Sequence, residues 1–249
     1  MDRVEIPEVV LNSGHKMPAI GLGTGGSSEP SAEQMIPLLL DAIAAGYRHI
    51  DTAALYGTEE FVGRAVAEAV DRGLVKSRDE LFITSKLCCT DTHHDLVLPA
   101  IQESLRYFES LMINVELNVA WQQRKLVEFC KEKTIHVSAF SPLGAYGYFW
   151  GTHAVMDSPV LEDIAAAKNK TKAQVALRWI YEQGVSPIVR SFNKERMKEN
   201  IQIFDWELTD EEVHKIEQQI PQNRACTGKE FVCPDGQYKS LEQLWDGEI

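Results

Sequence analysis

No run of apolar residues in this 249-residue sequence approaches the roughly 18 needed to span a bilayer. The first residues, Met1-Asp2-Arg3-Val4-Glu5, are followed by no apolar core of a secretory leader. Cysteine is scarce and unpaired in number: Cys88, Cys89, Cys130, Cys226 and Cys233 include one adjacent pair, which argues against a disulfide framework and for reduced thiols. Both features predict a cytoplasmic protein. Excess positive charge is also missing. Lys plus Arg number 25 against 37 Asp plus Glu, a net charge of −12 that repels nucleic acid and anionic lipid at long range. An anionic ligand therefore needs a local basic pocket, and no nucleic-acid or membrane partner is expected.

Several chemical signatures are absent as well. Cys88-Cys89 and His93-His94 lack the C-x₂₋₄-C spacing of zinc sites, and vicinal side chains point apart, so no metal is expected. No G-x-S-x-G elbow supports serine hydrolysis. Gly21-Leu22-Gly23-Thr24-Gly25-Gly26 has the wrong spacing for the G-x-G-x-x-G of an open dinucleotide fold.

What is present is an alternation of strand-like and helix-like segments. Val9 to Leu11 and Met17 to Ile20 flank the turn Asn12-Ser13-Gly14 and predict a hairpin. Ile20 to Thr24 follows as a strand. Ser31 and Gln34 form a capping box for a helix that stops at Gly46. Tyr47 to Thr52, Leu81 to Leu87, Ile113 to Leu117, His136 to Ser141 and Val185 to Val189 read as strands. Helices are predicted from Thr58 to Arg72, Leu96 to Phe108 and Gln122 to Lys133, from Ser158-Pro159 and the Thr171/Gln174 box, from Lys194 to Ile203, and from Thr209/Glu212. The tail from Gln222 to Ile249 reads as irregular and carries Phe231, Tyr238 and Trp245. Strands alternating with helices predict a parallel sheet wrapped by helices. Six units are counted, where a closed (β/α)₈ barrel needs eight, at roughly 30 residues each. An open six-stranded sheet also fits that count.

Three groups of polar and aromatic residues fall at strand ends, where parallel α/β folds bind ligands. Asp51, Tyr56 and Lys86 form the first. A carboxylate beside the amine keeps it charged, and the amine favours negative charge on the phenol, giving a group able to deliver a proton. A buried Asp–Lys pair with a packed tyrosine fits the same spacing. The second is Val189 to Arg196, where Arg190, Ser191, Asn193 and Arg196 surround a helix start and suit a phosphate; a solvated basic helix start is the alternative. The third is Phe140-Ser141-Pro142-Leu143-Gly144 with Tyr146, Tyr148, Phe149 and Trp150, in which an aromatic could stack on a flat ring or pack in a core.

Five ordered motifs resemble the aldo-keto reductases: Gly21-Leu22-Gly23-Thr24; Tyr47 to Ala53 with Tyr56-Gly57; Ile83 to Leu87; Phe140 to Gly144; and Arg190-Ser191-Phe192-Asn193 through Asn200. Asp91-Thr92-His93 and Leu96-Val97-Leu98-Pro99 look like the plant branch that includes chalcone reductase, codeinone reductase and deoxymugineic acid synthase. The resemblance implies an α/β fold of the TIM (β/α)₈-barrel type with an N-terminal β-hairpin, here incomplete with about six units, in a single domain over residues 1–249. It implies NADPH as cofactor and reduction of a small-molecule carbonyl to an alcohol, by a monomer. Tyr56 would be the general acid, supported by Lys86 and Asp51. Phe140 would stack under the nicotinamide, with Ser141 and Leu143 along the pyrophosphate. Arg190, Ser191 and Asn193 would hold the 2′-phosphate, and Arg196, Glu199 and Asn200 the adenine. Gly23, Thr24, Gly144 and Phe192 complete the implied cofactor-binding set.

The resemblance breaks between Leu105 and Asn118. The family's fourth strand with its histidine, the fifth with Ser-Asn and a strand-six glutamine have no counterpart, which implies an internal deletion near residues 108–114. Cys88 stands where the family often has Trp. A shortened, catalytically impaired NADPH-binding protein is the alternative this break leaves open.

Overall fold

The computed structural model describes residues 5–11, 14–26, 31–86, 113–132, 135–229, 232–234 and 238–244. Expectations for Cys88, Cys89, His93, His94, the 96–108 helix, most of the 108–114 junction, Phe231 and Trp245 lie outside them.

The hairpin forms as Glu8–Val10 (β1) against Lys16–Pro18 (β2), with Val9 opposite Met17 and Gly14 turning the chain at φ +83°. Among the described residues six parallel strands follow: β3 (Gly21–Gly23), β4 (His49–Asp51), β5 (Phe82–Thr84), β6 (Ile113–Glu116), β7 (Val137–Phe140) and β8 (Ser186–Val189). All are shorter than the sequence patterns, although inter-strand hydrogen bonding runs on past their ends: Thr24 N–H donates to Asp51 O at 3.0 Å, one residue past the end of β3.

The helices obey their caps. Helix α1 (Ala32–Ala45) presents Met35, Ile36, Leu39, Leu40 and Ile43 to the sheet, and Gly46 ends it at φ +118°. Helix α2 (Glu59–Asp71) follows a one-turn 3₁₀ helix over Ala54–Tyr56. Then come α3 (Arg124–Glu132), α4 (Pro159–Lys168), α5 (Lys172–Glu182), α6 (Lys194–Asn200), α7 (Asp210–Gln219) and a short α8 (Leu241–Leu244) inside the tail. Reciprocal capping boxes hold α5 (Gln174 N–H to Thr171 Oγ1, 3.2 Å; Thr171 N–H to Gln174 Oε1, 2.9 Å) and α7 (Glu212 N–H to Thr209 Oγ1, 3.2 Å; Thr209 N–H to Glu212 Oε2, 2.8 Å). Among the described residues no helix is long and apolar enough to cross a membrane.

The sheet order is β5-β4-β3-β8-β7-β6. From β3 to β5 each strand is added on the same side. β6 then stands at the opposite edge, and β7 and β8 step back toward β3 in that same direction. Right-handed crossovers that never reverse put all their helices on one face, so the sheet wraps as a barrel does, whereas an open doubly wound sheet reverses once. The open-sheet alternative is therefore corrected. The fold is a TIM-type barrel with an N-terminal hairpin, represented among the described residues by six parallel strands.

Strand alternation separates the two faces. Leu22, Ile50, Ile83 and Val189 join a cluster with α1 and α2, while Val115, Val137 and Ala139 join a second with α3, α4 and α5. The other face carries His49, Asp51, Thr84, Ser138 and Ser186, all buried.

Candidate active site

Asp51 ends β4 and is 3% exposed, with Lys86 two residues past β5. The parallel register sets Asp51 opposite Thr84 and Thr52 N–H bonds Thr84 O at 2.7 Å, so the lysine arrives beside the carboxylate. Lys86 Nζ donates to Asp51 Oδ1 at 2.5 Å and to Thr52 O at 2.9 Å. Burial pushes the Asp51 carboxyl up, and the Lys86 charge pulls it back. Its other oxygen, Oδ2, is buried with no partner.

Tyr56 ends the 3₁₀ turn, which Gly57 closes at φ +62°. Lys86 Nζ lies 4.8 Å from the centre of its ring. Gly25 also lies against the ring: a Cβ there would come within 2.9 Å of its Cε2 and Cζ. The three members of the first group are thus brought together.

A knot of threonines fixes this end of the sheet. Thr24 Oγ1 donates to Asp51 O at 3.0 Å and meets Thr58 Oγ1 at 2.9 Å, while Thr58 Oγ1 also meets Thr52 Oγ1 at 2.8 Å. Below it, His49 Nε2 and Thr84 Oγ1 are 2.7 Å apart, and burial holds the His49 imidazole down to about 3, hence neutral. Sequence reasoning missed Thr58, Thr84 and His49 as members of the site. For His49 and Thr84 the signal was the in-out alternation of β4 and β5, which puts them on the same face as Asp51.

Phe140 ends β7, and the turn after it is strained: Ser141 takes φ +51° and Gly144 φ +72°. Asn118 Nδ2 donates to Ser141 O at 3.3 Å and so braces it, a role sequence reasoning also missed. Gly144 is required there because a Cβ would stand 2.9 Å from Thr152 Cγ2. Leu143 packs against both hydrophobic clusters.

Arg190 follows β8. Its guanidinium lies 4.1 Å from the Phe192 ring and 5.7 Å from the Tyr148 ring, its Nε is buried without a partner, and burial pushes it below the ordinary arginine value. Ser191 Oγ takes the Asn193 N–H at 3.2 Å, and Asn193 Oδ1 caps α6 through Arg196 N–H at 2.9 Å. Arg196 is exposed, Glu199 partly buried, and Asn200 buried at the end of α6. Gly23 pairs with Asp51 between these groups.

A cavity of about 590 Å³ lies at the other end of the sheet, lined by His15, Lys16, Arg48, Arg78 and Phe82 among others. Its arginines are engaged structurally: Arg48 Nη1 donates to Ile43 O at 2.9 Å and Tyr47 O at 2.7 Å, and Arg78 donates to Leu81 O. The convergent charges at the strand C-termini, rather than this volume, mark the candidate site.

The sequence model of the Aldo/keto reductase family matches residues 19–115 and 108–220. The chain belongs to the aldo/keto reductase family. Among its relatives in that family, Protein REDOX 2 of Catharanthus roseus is 46% identical over 321 residues, covering 99% of each chain. NADPH-dependent codeinone reductase 1-5 of Papaver somniferum is 40% identical over 319 residues, again covering 99% of each. The structure superposes on that of a Bombyx mori aldo-keto reductase in complex with NADP with a TM-score of 0.82, at 30% identity, covering 92% of this chain and 97% of the other. A comparison over 321 positions with a chain of 249 residues leaves at least 321 − 249 = 72 positions facing no residue of this aldo/keto reductase.

Proposed function

We propose that this protein is an NADPH-dependent carbonyl reductase in which Tyr56 is the general acid. The observation that carries the reading is the convergence of Tyr56, Lys86 and Asp51 at one rim with Arg190, a cation whose guanidinium is held by aromatic faces and whose Nε has no partner. The residues fit the cofactor named in its relatives: Arg190 suits a phosphate, and its Nε is buried without a partner. When bound, NADPH supplies a hydride to the carbonyl carbon. Tyr56 holds its phenolic proton toward the carbonyl oxygen and transfers it there, so that an alcohol forms and the phenol regains its proton from water. Lys86, 4.8 Å from the ring centre and fixed by Asp51 and Thr52 O, stabilises the negative charge left on Tyr56 Oη. Phe140 offers a face at the end of β7, and Ser141, Leu143 and Gly144 shape the turn beside it. Ser191, Phe192 and Asn193 shape the Arg190 end, with Arg196, Glu199 and Asn200 on the helix beyond and Gly23 and Thr24 between.

The 72 unmatched positions favour a second reading, in which an internal deletion near residues 108–114 leaves a single-domain protein that binds NADPH and turns over poorly. The family-model match in two stretches that overlap at 108–115 supports placing the deletion there. The protein is proposed to be cytoplasmic and monomeric.

One experiment separates the readings. Tryptophan fluorescence is titrated with NADPH, and nicotinamide absorbance is followed with an aromatic aldehyde. The reductase reading expects quenching and aldehyde-dependent loss of absorbance, both in the wild type, with Tyr56→Phe keeping the quenching and losing the turnover by at least about a hundredfold. Quenching without turnover selects the impaired binder. Wild-type turnover by Tyr56→Phe removes the acid assignment.

A further inference from the structure

The two glycines after β3 are not demanded by their backbone, since neither has a positive φ. What they have in common is what lies on them. A Cβ at Gly25 would sit 2.9 Å from Tyr56 Cε2 and Cζ and 3.1 Å from Cδ2. A Cβ at Gly26 would sit 2.1 Å from Arg190 Nη1, 2.5 Å from Cζ and 2.8 Å from Nη2. Real Cβ atoms do not approach this closely, so either methyl group displaces its neighbour. We infer that Gly25-Gly26 is a double seat, one residue positioning the phenol and the next positioning the guanidinium, and that it fixes the spacing between the proton-delivering and phosphate-binding ends of the site. This rests on the reductase reading above.

The contacts at each seat are supplied by different elements. Tyr56 meets Gly25 and has the Lys86 ammonium 4.8 Å from its ring centre. Arg190 meets Gly26 and lies by the rings of Phe192 and Tyr148, the latter from the loop after β7. The guanidinium is the far end of a flexible side chain, so an added methyl at Gly26 shifts it off the shelf without unfolding the strand. The phenol is shorter and pinned by its 3₁₀ turn. A methyl at Gly25 therefore tilts the ring by a fraction of an ångström to about 1 Å, a scale on which turnover is sensitive.

The seat gives the two single variants different signatures. Gly26→Ala is expected to weaken NADPH at least about tenfold while NADH, which lacks the 2′-phosphate, changes little, so that the preference between them falls. Gly25→Ala is expected to lower kcat at least about tenfold while the NADPH dissociation constant stays within about twofold. Titration with 2′,5′-ADP checks the Gly26 arm without turnover. Unchanged NADPH affinity and cofactor preference in Gly26→Ala, or unchanged kcat in Gly25→Ala, would overturn the seat. So would equal weakening of NADPH and NADH by Gly26→Ala, the mark of a general loosening. If the unaltered protein shows no NADPH quenching, the reductase reading itself falls and the seat with it. That failure is seen in the wild type before any variant is made.

Discussion

The two faces of the six-stranded sheet obey opposite rules. On the outer face Leu22, Ile50, Ile83 and Val189 meet apolar helix residues, and each buried side chain adds roughly 1.5–3 kcal/mol of hydrophobic stabilisation. On the inner face His49, Asp51, Thr84 and Glu116 are equally buried, but every one carries polar atoms that had to leave water. Some are partnered, as in the pairing of His49 with Thr84 and that of Asp51 with Lys86. Others are not: Asp51 Oδ2 and both polar side-chain atoms of Asn114 are buried without partners. The outer face holds the fold together, and the inner face draws on that stability to keep reactive groups dry and close.

This contrast can be broken most sharply at the ion pair. Lys86→Met alone leaves Asp51 buried without its counter-charge and is expected to cost about 3–5 kcal/mol in chemical denaturation. The double variant Asp51→Leu/Lys86→Met removes both charges and is expected to melt at or above the wild-type temperature while losing turnover. If the double variant were as unstable as the single one, the inner face would be contributing stability as the outer face does.

Titration probes the contrast more gently. His49 is neutral in the fold, with a folded pKa near 3 against an unfolded value near 6.5, so its contribution is fully present above pH 6.5. As pH falls from 6.5 toward 3 the unfolded chain gains the proton first, and stability drops. Its neighbours Lys86 and His136 oppose the charge further. The melting temperature should therefore decline across that window, and less steeply in His49→Gln, measured against the same carboxylate background. Smallest is the outer-face trim Ile50→Val, expected to cost about 0.5–1.5 kcal/mol and to leave NADPH quenching intact. A loss of quenching there would show that the two faces are coupled.

Much of this was legible in the chain. Ser31/Gln34, Thr171/Gln174, Thr209/Glu212 and Gly46 mark helix ends through local hydrogen bonding, which acts over three or four residues and needs no tertiary partner. The hairpin and six parallel strands follow from alternation, although each strand is shorter than its pattern. The short α8 in the tail was missed because four residues carry too little periodicity to register. Asp51, Tyr56 and Lys86 could be placed at strand ends, and the shared rim with Arg190 could be anticipated.

The docking of the tail could not. Glu116 accepts the Ala225 and Cys226 N–H groups at 3.0 and 2.8 Å, and the Asn223 N–H reaches Ala120 O at 2.6 Å, contacts spanning about a hundred residues of sequence. Nothing local distinguishes Glu116 from a solvated glutamate. Burial pushes its carboxyl up, and the two N–H groups with the nearby Arg224 charge pull it back.

Sequence alone set the helix limits, the succession of strands and the residue types offered at their ends, because backbone sterics and short-range hydrogen bonds act on neighbours along the chain. Only the tertiary structure chose the winding direction of the sheet, the ring of Tyr56 on Gly25 and the guanidinium of Arg190 on Gly26. Those depend on which strands stand side by side, and packing of segments far apart in the chain decides that.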